Sequence, residues 1–348
     1  MNRYPKIVLF VTIMMFSCFS LKTLYAENEN IIPKSDIGAH SEKINSILPM
    51  KDGRRLITAS DDKTIRIWDT VSGTEQQKIL GFIGAGSEGK INSIALTPNE
   101  LYLAVGGNLT IGNISVIRIY DIITGQIVSI LKSHTGEILD LSISLDGRYL
   151  VSASVDKSIK IWDIKNDFKL IHTLELHSSR VSSVRIFKND GDYNIISAGD
   201  DGQVFLWSLL KKSIIEQQKF DFKLYAIAQS DKYIAVAGKS NFIYIFDRHL
   251  KQITKISSSS FETNVISSTQ KLAFSPDSRL LAAGGNDRAN GCTLFDISDI
   301  NNIKRSGGAL WQDVTAVAFI DNSWVVSSGE HFADIYIWNS NTGKPKIT

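Results

Sequence analysis

Three stretches of the 348-residue chain carry the same four polar or aromatic residue types in the same order. His40, Thr58, Asp62 and Trp68 form the first set, His134, Ser152, Asp156 and Trp162 the second, and His177, Ser197, Asp201 and Trp207 the third. Hydroxyl, imidazole and carboxylate are the parts of a nucleophile, its base and the group that orients the base. Triplication argues against that chemistry, because an active site needs one asymmetric constellation beside a pocket and an oxyanion donor. Buried polar groups, by contrast, must be paired, and each such bond contributes about 0.5–1.5 kcal/mol net. The repetition therefore predicts three structural networks and no enzyme.

Other chemical signals are weak. Gly106-Gly107 and Gly284-Gly285 do not open a helix as a phosphate-cradling loop would, and they read as backbone bends. The acidic turn Asn189-Asp190-Gly191-Asp192 lacks the further oxygens of a calcium loop, and the six histidines show no close metal-ligand spacing. No metal and no cofactor are expected. The first 26 residues hold Arg3, Lys6 and Lys22 and no acid, and without them the net charge is about −1. Such a near-neutral domain lacks the basic face of a nucleic-acid binder. Beyond that segment Cys292 is the one cysteine, so no internal disulfide forms and packing must supply the stability.

The elements that position these residues follow from a longer repeat. Leu56 to Asp69, Leu150 to Asp163 and Ile195 to Ser208 are plainly alike, and weaker copies end at Tyr120-Asp121, Phe246-Asp247, Phe295-Asp296 and Trp338-Asn339. Successive terminal aromatics lie 52, 42, 45, 39, 49 and 43 residues apart, near the period that four short strands and their turns require. Runs such as Ile65-Arg66-Ile67-Trp68 and Ile335-Tyr336-Ile337-Trp338 alternate with period 2 and predict half-buried strands. Asp52-Gly53, Asp146-Gly147 and Asp190-Gly191 supply tight turns between first and second strands. The expected fold is all-β, a seven-bladed β-propeller of four-stranded antiparallel blades, whose radial arrangement leaves only short edges.

With its Trp-Asp endings, upstream histidines and Asp-containing turns, the chain resembles the WD-repeat β-propeller family. The resemblance runs from about residue 38 to the end and is specific in copies 1, 3 and 4. It implies that each His, Ser or Thr, Asp and Trp set is a buried tetrad tying the loop before a blade's first strand to the turn between its second and third. It also implies partner contacts around the channel mouth, which fall here on Lys43, Asn45, Lys90, Asn92, Glu137, Arg180 and Asp313; Trp311, in the long connection before blade 7, is the expected aromatic anchor. The ring is expected to close through an outer strand of blade 7 drawn from Ile31 to Ile37 rather than from Lys344 to Thr348.

Residues 1–26 read as a signal peptide. Asn2 to Lys6 is cationic, Ile7 to Leu21 apolar, and Leu24-Tyr25-Ala26 precedes the polar Glu27-Asn28-Glu29-Asn30. The apolar run is shorter than the roughly 20 residues of a membrane span, so cleavage and an exported, periplasmic or extracellular protein are expected, with an uncleaved anchor as the alternative. Residues 27–37 then form an N-terminal segment and 38–348 the propeller. Departures from the repeat gather on the face that carries the His loops and Asp turns, at Asn108 to Ser115, Asn286 to Asn290 and Glu330 to Ala333, with Phe261 and Trp311 in long connections. Variable loops on a repeating scaffold are where function is grafted. The reading is a noncatalytic scaffold that binds a protein or peptide on that face. A recruiting or sensor module of a larger enzyme or signalling protein, and an enzyme using the central channel, are the rival readings.

Overall fold

A computed structural model describes residues 39–81, 84–258, 268–285, 291–309, 313–329 and 334–344. The expected signal peptide, the closing segment 27–37, Phe261, Trp311 and the loops at 286–290 and 330–333 lie outside these residues, as does the C-terminal piece beyond Lys344. Seven antiparallel sheets follow one another along the chain. Blade 1, for example, consists of Ile44–Pro49, Arg55–Ser60, Thr64–Asp69 and Glu75–Leu80 in that spatial order. The other blades repeat this meander. In blade 7 the strands Val314–Phe319, Trp324–Gly329 and Ile335–Asn339 are among the described residues. The long turn of blade 2 is itself structured, because Thr110–Ile111 doubles back on Ile114–Asp121.

The first strand of each blade lies innermost and touches the first strands of its two neighbours, so the sheets close into a seven-bladed β-propeller. Every innermost strand carries a β-bulge just after its first residue, between Ile44 and Ser46 in blade 1 and at the matching place in the other six. In blades 1, 2 and 7 the extra residue of the bulge, Asn45, Asn92 and Thr315, turns its side chain toward the next blade. At the other end of the innermost strand of blade 4, Asp190 and Gly191 both adopt positive φ, 49° and 81°, as a two-residue hairpin of right-handed twist requires.

The core is seven seams. Each buried hydrophobic cluster draws on two consecutive blades, from Ile57 and Ile67 with Ile91 and Tyr120 at the first seam to Ile44, Ile47 and Leu56 with Ala316 and Val326 at the last. Neighbours in sequence face opposite seams, as Ile195 packs toward blade 3 and Ile196 toward blade 5. Middle strands are therefore buried on both faces, and all six residues of Tyr149–Ser154 are buried. This corrects the half-buried expectation for Ile65 to Ile67, whereas Trp68 is half-buried as expected. Arg66 is buried too, paired with Glu75 of its own outer strand at 2.6 Å.

The paired glycines also differ from expectation. They lie within strands and mark close approach instead of bends: a Cβ on Gly107 would stand 2.2 Å from the Lys90 carbonyl oxygen, and one on Gly284 would stand 2.4 Å from Val314 of the next blade.

Candidate functional site: the tetrads, the channel mouth and the blade joints

The three polar sets form hydrogen-bonded networks inside blades 1, 3 and 4. In blade 3, His134 bonds Ser152 through Nε2 and Asp156 through Nδ1, both at 2.8 Å, and Trp162 Nε1 donates to the same Ser152 hydroxyl at 3.2 Å. Blade 1 matches it with His40 to Thr58 at 2.7 Å, His40 to Asp62 at 2.8 Å and Trp68 to Thr58 at 2.8 Å. Blade 4 departs from the expectation: His177 reaches Ser197 at 2.9 Å and Asp201 at 3.0 Å, but among the described residues no hydrogen bond joins Trp207 to Ser197, and its ring packs edge-on to His172 of blade 3 with centroids 5.7 Å apart. Blade 7 keeps half of the network, with Trp338 Nε1 donating to Ser327 at 3.2 Å.

A further hydroxyl completes two of the networks and was not anticipated. Thr64 donates to Asp62 at 2.7 Å and Ser158 to Asp156 at 2.6 Å. The matching triplets Asp62-Lys63-Thr64 and Asp156-Lys157-Ser158 are the sequence trace of this addition. Burial works to raise the Asp62 and Asp156 carboxyls, but the bonds from His40 and Thr64, and from His134 and Ser158, outweigh it and hold both well below the usual range. Burial lowers His134 and His177 against the pull of their aspartates. Thr58 and Ser152 have no exposed surface, so neither hydroxyl is within reach of a substrate carbonyl. Cys292 is equally enclosed, and burial pushes its thiol up to about 12, which leaves it a poor nucleophile.

The tetrad-bearing loops and turns surround one mouth of the channel. Lys43, Lys90, Glu137, Arg180, Lys223, Ser268 and Asp313 each stand one residue before an innermost strand. Several of the side chains expected to meet a partner also fasten one blade to the next. Lys90 of blade 2 binds Asp61 of blade 1 at 2.9 Å, and this raises its pKa. Asn45 donates to Asp61 at 2.6 Å and to the Ile91 carbonyl at 2.8 Å. Asn92 repeats the pattern one blade on, reaching Glu137 and the Ile138 carbonyl, both at 2.9 Å. Thr315 closes the ring in the same way, donating to the Ile44 carbonyl at 2.6 Å. Asn45, Asn92 and Thr315 are the extra residues of their bulges, so the bulge is what aims them across the joint.

Arg180 pairs with Asp200 at 3.0 Å while its side chain stays 46% exposed, and Lys223 of blade 5 reaches the same carboxylate at 2.8 Å. Lys43 and Asp313 are half-buried, and one oxygen of Asp313 is enclosed with no hydrogen-bond partner among the described residues. Sequence reasoning missed Asp61, Asp200 and Lys223. The first two immediately precede the tetrad residues Asp62 and Asp201, and Lys223 shares the register of Lys90 and Arg180.

A second set of links runs along the channel wall. Ser46, Ser93, Asp140 and Ser183, all at one register, accept the backbone N–H of Ile94, Leu141, Val184 and Ile227 in the following blade, at 3.0–3.4 Å. The same register holds Ala226, Lys271 and Ala316 in blades 5, 6 and 7.

The chain is similar to known proteins in both sequence and shape. The family described as "WD domain, G-beta repeat" matches residues 32–69, 125–163 and 168–208, which end on the three tetrad blades. Among curated proteins, the target of rapamycin complex subunit wat1 of Schizosaccharomyces pombe is 26% identical over 160 residues, 45% of this chain and 46% of that protein. Autophagy-related protein 16 of Arabidopsis thaliana is 24% identical over 267 residues, 74% of this chain and 49% of that protein. The chain thus spans about half the length of these relatives. The solved structure of U3-55K superposes with a TM-score of 0.74 at 16% identity, over 86% of this chain and 91% of that one, a likeness of fold alone. Seven meandering blades, hydrogen-bonded polar sets in blades 1, 3 and 4, and repeat matches ending on those same blades make this chain a seven-bladed β-propeller that carries WD-domain repeats.

Proposed function

We propose that the protein is a noncatalytic scaffold that binds a protein or peptide on the face where the channel mouth and the tetrad-bearing loops lie. The observation that carries this reading is the contrast between buried chemistry and exposed charge. The hydroxyls that could act as nucleophiles are sealed inside sheets, whereas Arg180 and Lys223, 46% and 54% exposed, stand just before the innermost strands of blades 4 and 5 at the mouth. A polar rim on a rigid frame suits recognition of another chain through charge complementarity. One of the relatives is by name a subunit of a complex, which is in keeping with this reading.

The reading includes export, with the mature chain starting near Glu27 after the cationic and apolar sections of residues 1–26. N-terminal sequencing of protein from the native host is expected to start at or near Glu27, and an intact Met1 on membrane-bound protein would count against cleavage.

Recovery of partners from the native exported fraction, followed by mass spectrometry, tests the binding face. Arg180→Glu is expected to lose the partner, while Arg279→Glu on the opposite face, where Arg279 is 72% exposed, is expected to retain it. Arg279→Glu should leave the stability within about 0.5 kcal/mol of the parent, whereas Arg180→Glu should lose more, because it sets a carboxylate beside the buried Asp200, so recovery is compared at a temperature where both variants are folded. Equal recovery with both variants would overturn face-specific recognition. A second reading, a recruiting module within a larger protein, is favoured by the extent of the matches, which occupy only about half of the relatives.

A further inference from the structure

Blade 2 has an apolar rim. Of the fifteen large hydrophobic side chains exposed among the described residues, seven belong to this one blade. Four of them, Ile123, Ile127, Val128 and Ile130, follow one another along its outer strand, Ile127–His134, and the turn that leads into it. The ten residues from Ile122 to Leu131 carry no charge, and the first on the strand is Lys132. Each of the other outer strands among the described residues holds a charge of its own, as Lys78, Lys169, Glu216, Lys255 and Arg305 show.

The strand is also an edge. It pairs with Ile114–Asp121 on its inner side, and among the described residues no strand pairs with it on the other. Leu131 packs into the seam with blade 3, so by alternation Ile130 faces away from that seam, where it is 41% exposed. An apolar edge strand with unpaired N–H and C=O groups is a template for another strand, and native proteins blunt such an edge with charge or cover it. Along Ile127 to Leu131 the charge is missing, which leaves the cover. An exposed apolar patch of this kind marks an interaction site.

Charge points to a second copy of the chain as the cover. The strand runs regularly from Ser129 to Lys132, between two bulges. Antiparallel copies related by a two-fold axis through Ile130 set Ile130 against Ile130, Ser129 against Leu131, and Lys132 against Val128. Apolar faces meet, and no like charges are opposed. Such a contact closes at two chains and leaves neither edge free.

We infer that the outer edge of blade 2 is the interface of a homodimer, with its two-fold axis at Ile130. This does not depend on the scaffold reading, because the outermost strand of a blade lies on the rim of the ring, away from the channel mouth.

The test is sedimentation equilibrium of the full chain over about a hundredfold range of concentration. The parent is expected to reach twice the mass of the single chain. Ile130→Lys and Ile130→Glu, which oppose like charges on the axis, are each expected to weaken association about tenfold or more. An equimolar mixture of these two variants is expected to associate more tightly than either alone, since opposite charges then meet. Leu210→Lys, at a more exposed apolar side chain in blade 4, is expected to leave the dimer intact. Thermal melts check that the variants fold, and Val128→Lys, which opposes Lys132 across the axis, should weaken the dimer even if the Ile130 variants do not. A parent that stays monomeric throughout would overturn the proposal. So would a dimer unchanged by Ile130→Lys, as when the apolar run of residues 7–21 holds the chains together, or a mixture no more associated than its components.

Discussion

Lys90 of blade 2 and Asp61 of blade 1 are joined at 2.9 Å across the mouth of the channel, with Glu42 a further 3.7 Å from the same ammonium. A residue in register for partner contact is therefore also a clamp between two blades. Lys90→Met should cost about 0.5 kcal/mol, as expected for a partly exposed pair, and Lys90→Glu more, because it sets a third carboxylate beside two others. Urea midpoints of the two variants measure the difference, and identical midpoints would mean that the clamp contributes nothing.

Asp156→Ala removes the acceptor that His134, Ser158 and the Thr135 N–H share. The expected loss is about 1–3 kcal/mol, since buried donors are left unpaired. Asp231→Ala, in an exposed turn of blade 5, is the control and should change stability by less than about 0.5 kcal/mol. Denaturant melts of the pair decide whether the network holds blade 3 together.

Acid should destabilise the protein in two steps of the same sign. His134 and His177 have lowered pKa values in the folded state, so below about 6.5 the unfolded chain takes up protons that the fold resists, and stability falls as pH drops. Asp62, Asp156 and Asp201 are also lowered, so their contribution is present above about 3.8 and is lost as pH falls further. Urea midpoints between pH 7 and pH 3 trace both steps. Replacing both histidines by Gln should flatten the upper one, and a midpoint already flat from pH 7 to pH 5 would contradict the first.

Lys157 holds φ at 72° in the turn where blade 4 has Gly202 at 73°. The left-handed region costs a non-glycine residue about 1–2 kcal/mol, while glycine pays more chain entropy on folding. Lys157→Gly is expected to gain up to about 1 kcal/mol by chemical denaturation. The converse, Gly202→Lys, should lose more, because a Cβ there would stand 2.3 Å from the Phe220 carbonyl oxygen.

The fold was legible in the sequence because a repeat multiplies a weak local signal. One Trp-Asp ending preceded by alternating apolar residues means little, but seven aromatic endings at 39 to 52 residue spacing specify blades. The tetrads were legible for the same reason, since His134, Ser152, Asp156 and Trp162 recur in order in three copies. Even the hydroxyl of Ser158 had a trace, in the triplet it shares with Thr64.

Contacts between blades were not legible, because they join residues about 45 positions apart whose pairing depends on how neighbouring sheets are set. Asn45 looks like any polar residue at a channel mouth until the bulge turns it onto the Ile91 carbonyl. Arg66 reads as the outward member of an alternating strand, yet covering both faces of the sheet buries it. Asp140 gives the clearest case: along the chain it is an acid in an alternating strand, and only the packing of blade 4 against blade 3 sets it 2.8 Å from Ser183 and 2.6 Å from Arg185. The sequence by itself determined the strands, their number and the networks inside each blade, which depend on local order. Tertiary closure decided which charges face one another, because Coulomb energy depends on distance through space and not along the chain.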